Sequence, residues 1–316
     1  MFKMKSGYFY ILICTLIFST VEVVLKFVAG IFAPLQITLL RFSLGGLMLL
    51  PFALRALRER KIHLGLSDFK KFAFTGFLFV PVTMSFYQLS VTFTEASVVA
   101  VIFSSNALFV TVFAAFALHE KLGKNHFIAL AFEVLAIVLI IDPFGGELDP
   151  TGALLAALSA ILFATYSICG KKLAPRYGGV AVSCFSILCG SLELFALILL
   201  GRTALGASLF SSLGLTVFVD VPLVSNIPLS ALPWLLVIAF INTGGGFVTH
   251  MLAMEKNTAR EAALIFFFKP MIAPLFALIF LGENITHHIP GIVCFLIGAG
   301  FAMIPGLLEE RRKLKQ

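Results

Sequence analysis

Charge is what this chain lacks most. Only 12% of its 316 residues are Asp, Glu, Lys or Arg, about half the share carried by a soluble domain. Cysteines are few and are not arranged for chemistry. Cys14, Cys169, Cys184, Cys189 and Cys294 all lie in apolar blocks, without CxxC or zinc-like spacing, and read as small buried hydrophobes. There is no P-loop, which argues against direct ATP hydrolysis. Of the six histidines, His63, His119, His126, His287 and His288 fall in loops or at helix ends, and His250 has no metal-spaced partner. No catalytic residue, metal site or cofactor is therefore expected.

What the chain has instead is apolar sequence. Hydrophobic residues make up 60% of it, in blocks of about 20 that match a hydrocarbon core of ~30 Å. The expected class is an all-α polytopic membrane protein. Helices are expected at 7–28, 34–55, 70–91, 95–118, 125–142, 151–171, 180–200, 231–254, 261–281 and 286–306, separated by breakers such as Pro34, Asp142-Pro143, Asp149-Pro150, Pro233 and Pro290. The first block is too long for a signal-peptide core and has no small-residue cleavage pattern, so it reads as a retained helix. The segment 203–222 is apolar but short and interrupted, and reads as an interfacial or packed piece of a long outer loop at about 201–230.

The few charges are unevenly placed. With the N-terminus cytoplasmic, 19 of the 23 Lys and Arg fall on inner segments, Arg202 alone lies in an outer loop, and Lys26, Arg41 and Lys269 lie within spans. The positive-inside rule then puts both termini in the cytoplasm, including a basic tail at 308–316. It also accounts for the net charge of +7 without invoking nucleic acid.

The chain repeats itself. At an offset of 145, Gly7 meets Gly152, Phe18 meets Phe163, Thr20 meets Thr165 and Lys26 meets Lys171. At 143, Phe42-Ser43 meets Phe185-Ser186. Past the outer loop the offset becomes 163, where Asn106 meets Lys269 and Glu120 meets Glu283. The units are 1–143 and 148–307, each with five helices. An odd number inverts the second unit in the membrane, an architecture recurrent in secondary transporters.

The end of the ninth helix, "PMIAPLFALIFLGE", sets Glu283 thirteen residues after Pro270. The matching "ALFVTVFAAFALHE" keeps the acid, Glu120, and has Ala107 where the proline would stand. With ten short spans in two units and Arg41 in "LLRF", the chain resembles the drug/metabolite transporter superfamily in its EamA-type branch, over nearly its whole length. The resemblance implies a basket-like fold, a central cavity lined mainly by helices 1, 3, 4, 6, 8 and 9, and a leaning toward efflux of amino acids or related metabolites. It does not identify a substrate.

Ionisable residues inside spans are costly and mark function or buried pairs. Glu22 is placed to pair with Lys26 at i,i+4 or with Arg41 in the same outer layer; proton coupling is the competing reading. Glu133 and Glu193 stand on helices peripheral in the implied fold, where packing, a local pair or a cavity rim competes with function. Lys269 lies eight residues past Glu261, roughly 12 Å along its helix, too deep to snorkel easily. It reads as the partner of a substrate carboxylate, against a buried pair with Glu133 or Glu193. Asn106, Asn242 and Thr243 would add hydrogen bonds, and Tyr87, Gln88 and Tyr166 are further candidates for the lining. Pro81, the run Gly244-Gly245-Gly246 and Pro270 interrupt helices 3, 8 and 9 mid-span and read as hinges, with close helix packing the competing use of the glycines.

The function expected is secondary active export of small organic metabolites, such as amino acids or other carboxylate-bearing compounds, across a cytoplasmic membrane. Membrane lipids surround it, protons are the candidate coupling ion, and Gly298 with Ala302 is a weak seat for a homodimer. Two other classes stay open: a membrane-embedded enzyme acting on a lipid carrier, with His119, Glu120 and His126 converging on one pocket, and a non-transporting scaffold.

Overall fold

The structure, a computed structural model, describes residues 6–119, 124–141, 150–224, 227–298 and 300–301. Among them, eight helices are long and apolar enough to cross a membrane. They are α1 (Gly7–Phe27), α2 (Pro34–Glu59), α3 (Leu66–Phe93), α4 (Ala96–Leu118), α6 (Pro150–Tyr177), α7 (Gly179–Gly201), α8 (Leu229–Lys256) and α9 (Ala259–Leu281). The fifth expected helix is α5 (Lys124–Ile141), whose apolar stretch Phe127–Ala136 is shorter. The tenth is present as α10 (Ile289–Gly298). Ala302, the basic tail and Glu120 lie outside the described residues, as do the side chains of Glu133 and His126.

Several helices run past their expected ends. α3 begins at Leu66 because Asp68 turns back to accept a hydrogen bond from the Gly65 backbone N–H, at 3.1 Å, capping a first turn that apolar periodicity does not mark. α4 and α9 stop alike. His119 (φ 57°) and Gly282 (φ 69°) both take the left-handed conformation that ends helices, and they correspond at the offset of 163. Among the described residues, the longest helix of the outer loop is the nine-residue Ala204–Ser212, about 14 Å long and too short to cross a bilayer core.

Packing follows the repeat. α2 lies against α7, and α4 against α9. α1 packs on α8 and α9, as α6 packs on α3 and α4; α2 meets α8 as α7 meets α3. Exchanging the two halves maps this set of neighbours onto itself, the pattern of an inverted repeat. The halves interleave, so the buried interior belongs to neither alone.

Two mid-span breaks also correspond. In α3 the backbone widens into a π-helix over Leu78–Met84, which contains Pro81. In α8 it does so over Val237–Gly245. Thr83 and Thr243 each donate a hydroxyl hydrogen bond to the carbonyl five residues back, at 2.7 Å. This occupies acceptors left in a loosened turn, as expected of π-bulges, which cluster at functional positions.

The glycines of α8 differ in how closely they are packed. A Cβ built on Gly246 would lie 2.6 Å from Phe18 Cε1, whereas one on Gly245 would meet nothing nearer than 3.5 Å. Across the same crossing, a Cβ on Gly45 of α2 would lie 2.7 Å from the Ala239 carbonyl oxygen.

Candidate functional site

The residues that sequence reading singled out converge only in part. A small cavity lies where the halves meet. Phe18 and Val21 come to it from α1, Arg41 from α2, and Met84 and Tyr87 from α3. Phe103 of α4, Phe247 of α8 and Lys269 of α9 complete it. Helix 2 thus contributes to the lining, while α6 stands behind it, with Tyr166 stacked on Phe79 at 4.0 Å and 5° between ring planes.

The polar centre is Glu22, 1% exposed. It sits just past Thr20, where α1 breaks into Ser6–Ser19 and Val21–Phe27. Its Oε1 accepts from the Lys269 ammonium and, at 2.7 Å, from the Tyr87 hydroxyl. Lys269 is equally buried, with Nζ 5.2 Å from the centre of the Phe103 ring and 5.9 Å from that of Tyr87. Lys269 therefore does sit in a buried pair, but with Glu22, where sequence had offered Glu133 or Glu193. Glu193 is half-buried on α7 and does not line the cavity. Of the pairings of Glu22 expected from sequence, Lys26 lies instead in the field of Glu283 and Glu95, while Arg41 stays in the field of Glu22 without a hydrogen bond to it.

Arg41 borders the same cavity and is 1% exposed. Its guanidinium carbon lies 4.6 Å from the centre of the Phe42 ring. Its Nε and Nη2 have no hydrogen-bond partner among the described residues, and neither has Glu22 Oε2.

The expected hydrogen-bonding residues use their donors within the protein, and the Oδ1 atoms of Asn106 and Asn242 have no partner among the described residues. Asn242 donates to the Ile17 carbonyl at 3.0 Å and to the Thr20 hydroxyl at 2.8 Å. It fastens the π segment of α8 to the break in α1 (one helical turn from Glu22) and so supports the site from outside. Thr243 is spent on its own helix. Asn106 donates to the Phe103 carbonyl at 2.7 Å, at the turn that divides α4 into Ala96–Ser104 and Asn106–Leu118. Pro270 lies inside α9, which runs unbroken from Leu264 to Leu281.

Polar contacts tie the halves together at both ends of the cavity. At one end, Arg60 Nη2 meets Glu255 at 2.5 Å and Arg60 Nη1 donates to the Pro175 carbonyl at 3.2 Å, while within the second half Glu255 also accepts from the Gly179 N–H at 2.6 Å. Beside it, Asp68 accepts from the Tyr177 hydroxyl at 2.5 Å and pairs with Arg176 at 3.3 Å. At the other end, the Glu283 carboxylate accepts from the N–H groups of Ala96 and Ser97, at 2.8 and 3.0 Å. The acid of the ninth-helix motif thus caps the start of α4 in the opposite half. Sequence reading missed these ties because each joins residues more than 70 positions apart, and their charges also serve as topology signals.

This geometry is a small, mostly apolar chamber beside a buried charge cluster, between two halves joined by polar contacts at each end. Known proteins are similar over nearly the whole chain. The profile of the EamA-like transporter family matches the chain twice, over residues 5–142 and 150–304. An uncharacterised transporter of Clostridium kluyveri is 30% identical over 306 residues, covering 94% of this chain and 92% of its own. One of Archaeoglobus fulgidus is 22% identical over 83% of this chain and 85% of its own. A solved crystal structure, 19% identical, superposes with a TM-score of 0.63 over 95% of this chain and 97% of the other, which shows the shared fold. A multi-pass helical chain, built of two such units that meet at this chamber, belongs to the EamA-like transporter family.

Proposed function

We propose that the protein is a secondary active transporter that exports small organic metabolites bearing a carboxylate across the cytoplasmic membrane, with both termini in the cytoplasm. The units 1–143 and 148–307 rock about the chamber to give alternating access, bending at the π segments around Pro81 and Gly244–Gly246. The charged centre formed by Glu22, Arg41 and Lys269 binds the substrate, and Glu22 is the group that would exchange a proton. Asn106, Asn242 and Thr243 hold the helices that frame it. The observation that carries this reading is the chamber itself. Its wall carries Arg41 of α2 and Lys269 of α9 among aromatic side chains, with Glu22 of α1 paired to Lys269 beside it, between halves tied at each end. A scaffold gains nothing from buried charge at its centre, since a buried pair is often no more stabilising than a well-packed apolar one. In this conformation the chamber has about 20 Å³ of room for the centre of a water-sized sphere, enough for a water but not for a metabolite. The side chains must part to admit cargo.

The test is a panel of amino acids and other carboxylates in proteoliposomes, with and without a proton gradient. Accumulation of at least one compound above empty liposomes, increased by the gradient, is expected. If no carboxylate crosses faster than through empty liposomes, the reading fails.

A further inference from the structure

We propose that Arg41, rather than Lys269, receives the anionic group of the substrate, and that the substrate is a monocarboxylate with an apolar body rather than a zwitterion. This deepens the transport reading and rests on it for the statement that the ligand is cargo.

The two cations of the chamber are in different states. The ammonium of Lys269 is neutralised by the Glu22 carboxylate, which also holds the Tyr87 hydroxyl. The Arg41 guanidinium is as deeply buried, yet among the described residues its Nε and Nη2 have no partner. Those two donors lie on one edge of the guanidinium plane, the fork that grips both oxygens of a carboxylate. Arg41 lies over the Phe42 ring and in the field of Glu22, but no carboxylate is hydrogen-bonded to it among the described residues; a buried cation with unmet donors is costly, and that cost is relieved when an anion arrives.

Charge balance narrows the ligand further. Arg41 and Lys269 bring two positive charges and Glu22 one negative, so the described chamber carries a single net positive charge. A monocarboxylate brings it to neutrality. A zwitterion leaves the excess and sets an ammonium near two cations. Glu22 Oε2 is open to such an ammonium, but the charge of that carboxylate is already matched by Lys269. The walls offered by Phe18, Val21, Met84 and Phe247 suit an apolar body.

The test uses the full-length protein in detergent and three matched probes: 3-phenylpropionate, phenylalanine and 3-phenylpropanamide. Calorimetry is expected to give 3-phenylpropionate an affinity about tenfold to a hundredfold above the other two, the range for a hydrogen-bonded charge. Arg41→Gln removes that advantage and Arg41→Lys restores part of it. Glu22→Gln/Lys269→Met, which removes the neighbouring pair without stranding a charge, keeps the preference whatever its absolute affinity. If phenylalanine or the amide binds as tightly as the acid, or if wild type binds none of the three, the proposal is overturned. If the double variant loses the preference, Lys269 is the receptor, and this holds even if Arg41→Gln does not fold. Counterflow of 3-phenylpropionate in proteoliposomes separates the two readings. Arg41-dependent binding without movement removes the transport reading and leaves the site. Movement at the wild-type rate by Arg41→Gln removes the site and leaves transport.

Discussion

Glu22 and Lys269 are 247 positions apart in the chain and in hydrogen-bond contact in the fold. A lysine in the middle of an apolar span is visible in the sequence by itself, because its cost in hydrocarbon depends only on depth. Its partner is not visible, because several acids lie in spans and only packing chooses among them. The energetics of such a pair are asymmetric: removing one member leaves an uncompensated buried charge, whereas replacing both with uncharged groups does not. Lys269→Ala is therefore expected to lower stability by about 3–5 kcal/mol, and Glu22→Gln/Lys269→Met by clearly less. Thermal unfolding in one detergent compares them, and equal losses would show that the two residues do not act as a pair. A falling transport rate in Lys269→Ala alone is thus no evidence of contact with substrate.

Among the helices, the mid-span breaks carry the most information. Pro81 and the triple glycine read as breakers from sequence; Pro81, Gly244 and Gly245 stand in π segments, and Gly246 opens the α-helical turn that follows. What sequence could not assign is the use of each glycine. Gly246 is pressed by Phe18, and Gly245 is not. Gly246→Ala is expected to destabilise by about 1–3 kcal/mol through overpacking. Gly245→Ala is expected to be neutral or to gain up to ~1 kcal/mol from helix propensity. Melting curves of the two variants measure the contrast; a reversed order would mean that the α1–α8 crossing is looser than described. The ninth-helix motif also acquires a reason at this scale. Glu283 supplies two hydrogen bonds and a negative charge to the positive end of α4. Glu283→Ala is expected to cost about 1–2 kcal/mol, seen as a lower melting temperature. An unchanged melt would deny the cap an energetic role. The motif was legible as a signature, but its target, in the other half, was not.

For the whole molecule, alternating access makes a stringent demand: contacts that join the halves at each end must break in turn. Arg60 and Glu255 belong to opposite halves and touch. Arg60→Cys/Glu255→Cys, joined by a short disulfide-forming cross-linker, is expected to abolish transport in proteoliposomes until a reductant is added. Wild type treated alike controls for the five native cysteines, and undiminished transport by the cross-linked variant would mean that this end stays closed throughout the cycle.

The sequence by itself determined the membrane class, the helical spans and the duplication. Each follows from local quantities: apolar length against bilayer thickness, backbone breakers, and likeness between one half and the other. It also marked the costly residues, Glu22, Arg41 and Lys269, since burial of charge is a property of single positions. The tertiary structure decided which of those charges meet. It assigned Lys269 to Glu22, left the Arg41 fork without a partner among the described residues, and turned Asn242 from a lining candidate into a clasp between α1 and α8. That division has a physical cause. The cost of burying a charge is set by where it sits along its own helix, whereas the compensation comes from whichever helix the inverted fold lays beside it.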